Sequence, residues 1–236
     1  MASMMTYARL ADAVYADQPS LDGWTRVGFH PTANSLTDPF QGAAFRRGDE
    51  VIFAFKGTSS AGDAVTDAKL GVGMNTDQYA RAGAFVARTP VEGARVSLTG
   101  HSLGGAIAQI IGNRRRLPFV TFNAPGVGLV SRNVGEVAAT LGLGTAAVRS
   151  AGAVISAIRH PMQAMQDAGS LLYRVRGINF RVGQDVVGNI GVHYGPVVVL
   201  AYSGGAMDLV AKHRMPAVLS SLAASSYRDM ELEQVV

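Results

Sequence analysis

Residues 96–106 read Val96-Ser97-Leu98-Thr99-Gly100-His101-Ser102-Leu103-Gly104-Gly105-Ala106, in which a strand pattern passes through Gly-x-Ser-x-Gly into a helix of small residues. A serine in this setting lies on a strained turn that lifts its hydroxyl above a sheet, and Gly100 and Gly104 leave space where side chains would collide. The helix that follows points its positive end at the hydroxyl. The segment therefore predicts Ser102 as a nucleophile and the Leu103 N–H as a donor to an oxyanion.

A second oxyanion donor is expected after an earlier strand. Residues 51–58 read Val51-Ile52-Phe53-Ala54-Phe55-Lys56-Gly57-Thr58, a buried-strand pattern that ends in Gly-Thr. The second backbone donor of such sites comes from a loop of this kind. We therefore predict the Thr58 N–H as the partner of the Leu103 N–H, with the Thr58 hydroxyl adding a hydrogen bond or ordering the loop.

Strand and helix signals alternate on both sides of the serine motif. The apolar spacing predicts helices over residues 4–15, 77–88, 103–113 and 215–224, the first of them packed at the edge of the domain. Strands are predicted over 24–29, 42–46, 51–55, 95–99, 118–122, 178–182 and 197–202, with a hairpin turn at Arg47-Gly48-Asp49. This order predicts an α/β fold with a mainly parallel central sheet flanked by helices, and with functional loops at the carboxyl ends of the strands.

Residues 128–173 depart from this alternation. They are rich in Ala, Gly, Val and Met and have helical spacing, so we predict a helical insertion within a single domain that spans residues 1–236. Apolar side chains such as Leu141, Ile155 and Met162 suit a lid or a lipid-binding surface. A plain helical cap that buries the edge of the sheet is the alternative.

Two segments together resemble a known family. Phe55-Lys56-Gly57-Thr58, followed by Gly100-His101-Ser102-Leu103-Gly104-Gly105, is similar to the class 3 lipases of the α/β-hydrolase fold, and the similarity extends over residues 4–128. The resemblance implies a serine esterase that acts on lipid carboxylic esters, as a triacylglycerol lipase or a phospholipase A1. The chain departs from the family at Lys56, where Arg is usual, and at Gly62-Asp63-Ala64, where an Asp-Trp pair is usual.

The acid of the expected triad must follow Ser102 and precede the histidine, because α/β-hydrolases carry the triad in that order. Asp185 follows the predicted strand 178–182 across Gly183-Gln184, at the carboxyl end of the sheet. Asp167 lies in the predicted insertion, and Asp208 follows a later strand. Asp185 is therefore the predicted acid, with an ordinary loop cap as its alternative role.

Five histidines compete for the role of the base. His30 precedes Ser102, His101 is fixed within the turn beside the serine, and His160 lies in the predicted insertion. His213 precedes the last predicted helix and resembles the late histidine of the lipase family, so it is the predicted base. His193 is expected to pack beside the site and is the alternative base.

Composition limits the classes of function. The 236 residues are 48% apolar and 16% charged, which indicates a large buried core, and the absence of cysteine excludes disulfides and thiolate metal sites. The net charge of +4 is spread along the chain apart from Arg114, Arg115 and Arg116, which are expected at the end of a helix, so no nucleic-acid partner is predicted. Residues 1–18 lack the pattern of a signal peptide, so a cytoplasmic location or leaderless export is expected.

These observations predict a lipid ester hydrolase that forms an acyl-enzyme on Ser102 and needs neither a metal nor an organic cofactor. Its expected partners are the lipid ester and, transiently, the lipid surface. Two other functions fit the same fold. One is a non-catalytic lipid-binding or regulatory protein, and the other is an acyltransferase that passes the acyl group to an alcohol.

Overall fold

A computed structural model describes residues 1–31, 40–57, 76–127, 176–191, 193–202 and 209–235. The helices in these ranges are α1 (Met4–Ala13), α2 (Thr76–Arg88), α3 (Leu103–Arg115), α4 (Leu209–His213), α5 (Met215–Ala223) and α6 (Leu232–Val235). The strands are β1 (Ser20–Leu21), β2 (Trp24–His30), β3 (Gly42–Arg47), β4 (Glu50–Phe55), β5 (Arg95–His101), β6 (Phe119–Phe122), β7 (Gly177–Val182) and β8 (Val197–Leu200). The predicted insertion at 128–173 lies outside the described residues.

The strands form one mixed sheet in which spatial order equals chain order, from β1 to β8. Strands β1 to β4 pair antiparallel, and β4 to β8 pair parallel. Helix α2 connects β4 to β5 and α3 connects β5 to β6, as parallel neighbours require. The prediction of an α/β fold with a mainly parallel sheet flanked by helices is confirmed, with an antiparallel meander added at the start of the chain.

Strand β4 separates two apolar cores because it is buried on both faces. Val51, Phe53 and Phe55 face the core formed with α2 and α3, whereas Ile52 and Ala54 face the core formed with α1 and α5. Successive side chains of a strand point to opposite faces, so a strand covered on both sides must be apolar throughout. The unbroken apolar run that predicted this strand therefore reflects its central position.

Helix α1 lies against the middle of the sheet, so its predicted place at the edge of the domain is wrong. It packs on β4, β5 and β6 and on α5. The Tyr7 hydroxyl donates to Ser97 Oγ at 2.9 Å, and the Thr99 hydroxyl donates to the Tyr7 carbonyl at 3.2 Å. Ala8 and Ala11 are fully buried, and their small side chains allow the helix to approach the strands closely.

Helix α1 also runs in the same direction as β5. Tyr7 lies beside Ser97, and Tyr15, just past the end of the helix, lies beside His101 at the end of the strand. The eight residues from Tyr7 to Tyr15 advance about 12 Å, and the four residues from Ser97 to His101 advance about 13 Å. The two elements therefore cover the same distance between these contacts. The chain that leaves α1 thus arrives at the carboxyl edge of the sheet.

The boundaries of the other elements agree with the sequence prediction to within a few residues. The hairpin between β3 and β4 turns at Gly48 and Asp49, and α3 ends at Arg115 within the predicted arginine cluster. Strand β1 and the short helices α4 and α6 were not predicted, because two to five residues carry too little periodicity. Among the described helices, none is long and apolar enough to cross a membrane.

The central position of β4 can be tested with one substitution made at two places. Val51→Ala removes two buried methyl groups from the middle of the sheet and is expected to lower the free energy of unfolding by about 2 kcal/mol. Val199→Ala on β8, where the side chain is 54% exposed, is expected to cost less than about 0.5 kcal/mol. Urea unfolding measures both values, and equal costs would contradict the two-core arrangement.

Candidate active site

Ser102 occupies a strained turn between β5 and α3. Its φ of +56° and ψ of −129° lie outside the regions that side-chain-bearing residues normally adopt. A Cβ atom on Gly100 would lie 2.4 Å from the Gly104 carbonyl, and one on Gly104 would lie 2.0 Å from the Phe55 carbonyl oxygen. Only glycine therefore lets the first turn of α3 pack this closely on β5 and β4.

The structure brings Ser102, His213 and Asp185 into one line of hydrogen bonds. His213 Nε2 lies 2.8 Å from Ser102 Oγ, and His213 Nδ1 lies 2.9 Å from Asp185 Oδ1. The three residues are buried, with exposed fractions of 2%, 1% and 0% in the order Ser102, His213 and Asp185. A carboxylate, an imidazole and a hydroxyl in this order can transfer a proton away from the hydroxyl.

Asp185 is held by the turn that follows β7. Its Oδ2 atom accepts the Gly188 N–H at 2.6 Å, and its backbone carbonyl accepts the Asn189 side-chain amide at 2.6 Å. These contacts leave Oδ1 facing His213 Nδ1. The turn thus orients the carboxylate, and it lies at the carboxyl edge of the sheet, where β5 and β6 also end.

His213 is the last residue of α4, and the ends of two strands hold its backbone. Its carbonyl oxygen accepts His101 Nε2–H at 2.5 Å and the Asn123 side-chain amide at 3.1 Å. The last carbonyls of a helix have no partner within the helix, so these side chains supply the missing donors. Asn123, directly after β6, also bonds the Lys212 carbonyl and accepts the Val182 N–H, which ties α4 to β7.

His193 lies outside this line of hydrogen bonds. Its Nε2 atom donates to the Ala124 carbonyl at 2.8 Å, and burial lowers its pKa. His30 packs against Phe40 and Phe85 on the opposite core, and His160 lies outside the described residues. Of the described histidines, His213 alone contacts the Ser102 hydroxyl.

The two predicted oxyanion donors differ in what the structure describes. Leu103 is the first residue of α3, so the helix makes no use of its N–H, and it directly follows Ser102. Thr58 lies outside the described residues. Its neighbour Gly57 lies beside the serine, since a Cβ atom on Gly57 would be 3.1 Å from Ser102 Cβ. The end of the described chain after β4, at Gly57, therefore lies next to Ser102.

Sequence reasoning missed the contacts of Tyr15. Its hydroxyl accepts the Gly57 N–H at 2.9 Å and lies 3.1 Å from His101 Nδ1. The sequence pattern marked Tyr15 only as an apolar position on the first helix, since its partners are 42 and 86 residues away in the chain. No local signal could have indicated these partners.

The chemistry available at this site is acid–base and nucleophilic. Among the described residues, no group of three or more His, Asp or Glu side chains is arranged to hold a metal ion. The line from Asp185 to Ser102 supplies a base for the hydroxyl, and the N-terminus of α3 supplies a donor and a positive dipole. This combination suits acyl transfer from an ester.

Most of the chain matches the sequence pattern of a known protein family. The family described as phospholipase-like, with a Tle-like phospholipase domain, matches residues 6–201. The chain belongs to this family. The match includes Ser102 and Asp185 and ends before His213. Membership of a phospholipase-like family confirms the predicted lipase relationship, and the protein is a lipid ester hydrolase that acts on carboxylic esters.

Solved structures of lipases are similar to this phospholipase-like chain. The Lip2 lipase of Yarrowia lipolytica has 16% sequence identity and a TM-score of 0.48, with 84% of this chain and 78% of that chain covered. A triacylglycerol lipase of Penicillium expansum has 17% identity and a TM-score of 0.43, with 95% and 88% covered. A search of curated protein sequences found no significant match.

The buried state of His101 predicts a pH dependence of stability. Burial, and then the charge of His213, lower the pKa of His101 from 6.5 to about 3. Between these values the unfolded chain binds a proton that the folded protein does not, so the free energy of unfolding falls as the pH falls below 6.5. His101→Gln removes the imidazole that binds this proton in the unfolded chain. Between pH 7 and pH 5 the wild type should lose about 2 kcal/mol more than the variant in urea unfolding. Parallel losses would contradict a neutral His101.

Proposed function

We propose that this phospholipase-like protein hydrolyses a fatty-acyl ester of a glycerophospholipid through an acyl-enzyme on Ser102. The observation that carries the proposal is the buried line of hydrogen bonds from Asp185 through His213 to the Ser102 hydroxyl. The family description favours a phospholipid over a neutral glyceride. When such an ester is cleaved, the lysophospholipid leaves through its ester oxygen, which a histidine can protonate to give an alcohol.

In the first half-reaction, Ser102 Oγ attacks the ester carbonyl carbon while His213 Nε2 accepts the hydroxyl proton. Asp185 Oδ1 accepts the Nδ1–H, so the Nε2 lone pair faces the serine. The carboxylate also stabilises the imidazolium that forms. The tetrahedral intermediate collapses as His213 returns the proton to the lysophospholipid oxygen, which leaves as an alcohol.

Backbone donors stabilise the charge on the carbonyl oxygen. The proposed donors are the N–H groups of Leu103 and Thr58. Support for the first is its place at the N-terminus of α3 directly after Ser102, and support for the second is the proximity of Gly57 to the serine. Each such donor typically contributes about 3 kcal/mol to the stability of the transition state.

In the second half-reaction, a water molecule attacks the acyl group on Ser102. His213 Nε2 accepts a proton from this water and then donates it to Ser102 Oγ as the ester bond breaks. The fatty acid leaves and the serine hydroxyl is restored, so the cycle balances without a cofactor. Because long-chain phospholipids are present in bilayers, we propose that the protein takes its substrate during transient contact with a lipid surface.

Replacing the proposed nucleophile tests the mechanism. Ser102→Ala is expected to lower kcat for the release of fatty acid from phosphatidylcholine vesicles by at least about 10⁴-fold, because no other described hydroxyl contacts His213. Mass spectrometry of the fatty acid and the lysophospholipid measures the reaction.

The matched control is Ser220→Ala, since the Ser220 hydroxyl donates to the Ala217 carbonyl within α5 and, among the described residues, makes no contact with Ser102 or His213. Its activity should lie within about twofold of the wild type. Undiminished hydrolysis by Ser102→Ala would contradict the proposed nucleophile. Hydrolysis of emulsified triacylglycerol but not of vesicles would instead contradict the phospholipid substrate and leave the serine mechanism in place.

The role of Asp185 can be tested without a change of shape. Asp185→Asn removes the negative charge that orients His213 and is expected to lower kcat by about 10⁴-fold. The control Asp49→Asn makes the same change at an exposed carboxylate paired with Arg95, and its kcat should lie within about twofold of the wild type. Equal activities of the two variants would show that Asp185 is not the acid.

A further inference from the structure

A chain of hydrogen bonds connects the segment after β4 to the backbone of His213. The Gly57 N–H donates to the Tyr15 hydroxyl at 2.9 Å, and this hydroxyl lies 3.1 Å from His101 Nδ1. On the other side of the same ring, His101 Nε2 lies 2.5 Å from the His213 carbonyl oxygen. Tyr15 and His101 link Gly57 to His213 in this chain of hydrogen bonds. They belong to neither the proposed triad nor the proposed oxyanion donors.

The protonation state of each group gives this chain one direction. A carbonyl oxygen can only accept, so His101 Nε2 carries the proton. Burial and the charge of His213 keep the His101 ring neutral by lowering its pKa, so Nδ1 has a free lone pair and must accept. Burial raises the pKa of Tyr15, so its hydroxyl keeps the proton that it donates to Nδ1. The order of donation is Gly57 N–H to Tyr15, Tyr15 to His101, and His101 to His213.

The same groups explain why a second histidine beside the proposed base is tolerated. The rings of His101 and His213 lie 4.8 Å apart. A second positive charge at this distance would repel the imidazolium that forms when His213 takes a proton. Because His101 stays neutral, its ring supplies a donor to the His213 backbone without this repulsion.

Helix α4 by itself holds His213 weakly. It has five residues, and helices this short form few internal hydrogen bonds. The His213 carbonyl is instead fixed by donors from outside α4, at His101 and Asn123. The His101 ring is in turn fixed by Tyr15, which also contacts the segment that leads to Thr58.

We infer that Tyr15 and His101 are positioning residues that couple the segment after β4 to His213. In this arrangement a displacement of Gly57 changes the contact of Tyr15, the orientation of the His101 ring and the place of the His213 backbone. Gly57, which precedes the proposed donor Thr58, and the backbone of the proposed base are therefore positioned together. This inference rests on the proposed roles of Ser102 and His213.

Neither residue is required to contact the substrate, so their loss should lower kcat and leave KM nearly unchanged. Tyr15→Phe removes one oxygen atom and with it the hydrogen bonds to Gly57 and His101, and we expect about a tenfold loss of kcat. His101→Leu removes both ring nitrogens, and we expect about a 100-fold loss. His101→Gln keeps a side-chain N–H and an acceptor, so its kcat should lie much closer to that of the wild type than the kcat of His101→Leu does.

The matched control for Tyr15→Phe is Tyr7→Phe. Tyr7 lies two helical turns earlier, and its buried hydroxyl donates to Ser97 Oγ at 2.9 Å, away from Ser102 and His213. Its removal costs a hydrogen bond of the same kind and tests whether any buried tyrosine hydroxyl near β5 affects turnover. We expect Tyr7→Phe to lower the free energy of unfolding and to keep kcat within about twofold of the wild type.

The double variant Tyr15→Phe/His101→Leu separates coupling from independent damage. Residues that act through one chain are not additive, so the double variant should lose no more kcat than His101→Leu alone. The full chain is assayed on phosphatidylcholine vesicles with Ser102→Ala alongside, and thermal unfolding shows that each variant is folded at the assay temperature. The inference would be overturned if the losses of kcat were additive or if Tyr15→Phe and His101→Leu left kcat unchanged. A loss of kcat in Tyr7→Phe equal to that in Tyr15→Phe would also overturn it.

The result for Ser102→Ala separates the two claims. If Ser102→Ala is inactive while Tyr15→Phe and His101→Leu match the wild type, the positioning role is wrong and the proposed function stands. If Ser102→Ala remains active, the proposed nucleophile is wrong and the positioning role is overturned with it. If Ser102→Ala is inactive and the double variant is non-additive with an unchanged KM, both claims are supported.

Discussion

The arrangement of the site depends on the backbone of Ser102, which is held at a φ of +56° between a strand and a helix. A residue with a side chain adopts such a conformation only when its surroundings enforce it. Here β5 is paired on both sides, and α3 is buried along most of its length, so neither element can shift to relieve the strain. The glycines at 100 and 104 permit the contact, and the sheet maintains it.

The sheet also determines which other residues reach the serine. Strands β4 to β7 lie side by side in chain order and are parallel, so the segments that follow them meet at one edge. The residues of the site that follow these strands all lie within three residues of a strand end, at Gly57, Ser102, Asn123 and Asp185. A short helix brings His213 to the same edge, where donors from β5 and the end of β6 hold its last carbonyl. The proposed triad is thus assembled from loops, while regular elements fix its geometry.

Burial gives these contacts their strength. Ser102, Asp185 and His213 are nearly inaccessible to solvent, and an ion pair or a charged hydrogen bond is stronger where water does not screen it. Burial has the opposite consequence for an unpaired charge, and it keeps His101 neutral beside His213. One environment therefore favours the pairing of His213 with Asp185 and prevents the protonation of the adjacent ring.

Local signals in the sequence were sufficient for the turn at Ser102, for β4 and for the turn after β7, because each depends on residues close together in the chain. Glycines at positions 100 and 104, an unbroken apolar run at 51–55 and an aspartate three residues after a strand can all be recognised without a structure. The family resemblance added His213, whose motif is less specific.

The tertiary structure alone decided the contacts between distant residues. His213 lies 111 residues from Ser102, and hydrogen bonds from His101 and Asn123 hold it beside the serine, whereas His193 donates to the Ala124 carbonyl. Helix α1 was predicted at the edge of the domain because its small apolar residues suit either place, yet it covers the central strands. That position brings Tyr15 to His101, 86 residues away. Short sequence motifs therefore indicate the chemical groups of the site. The contacts between these groups depend on packing between distant residues, which no local pattern predicts.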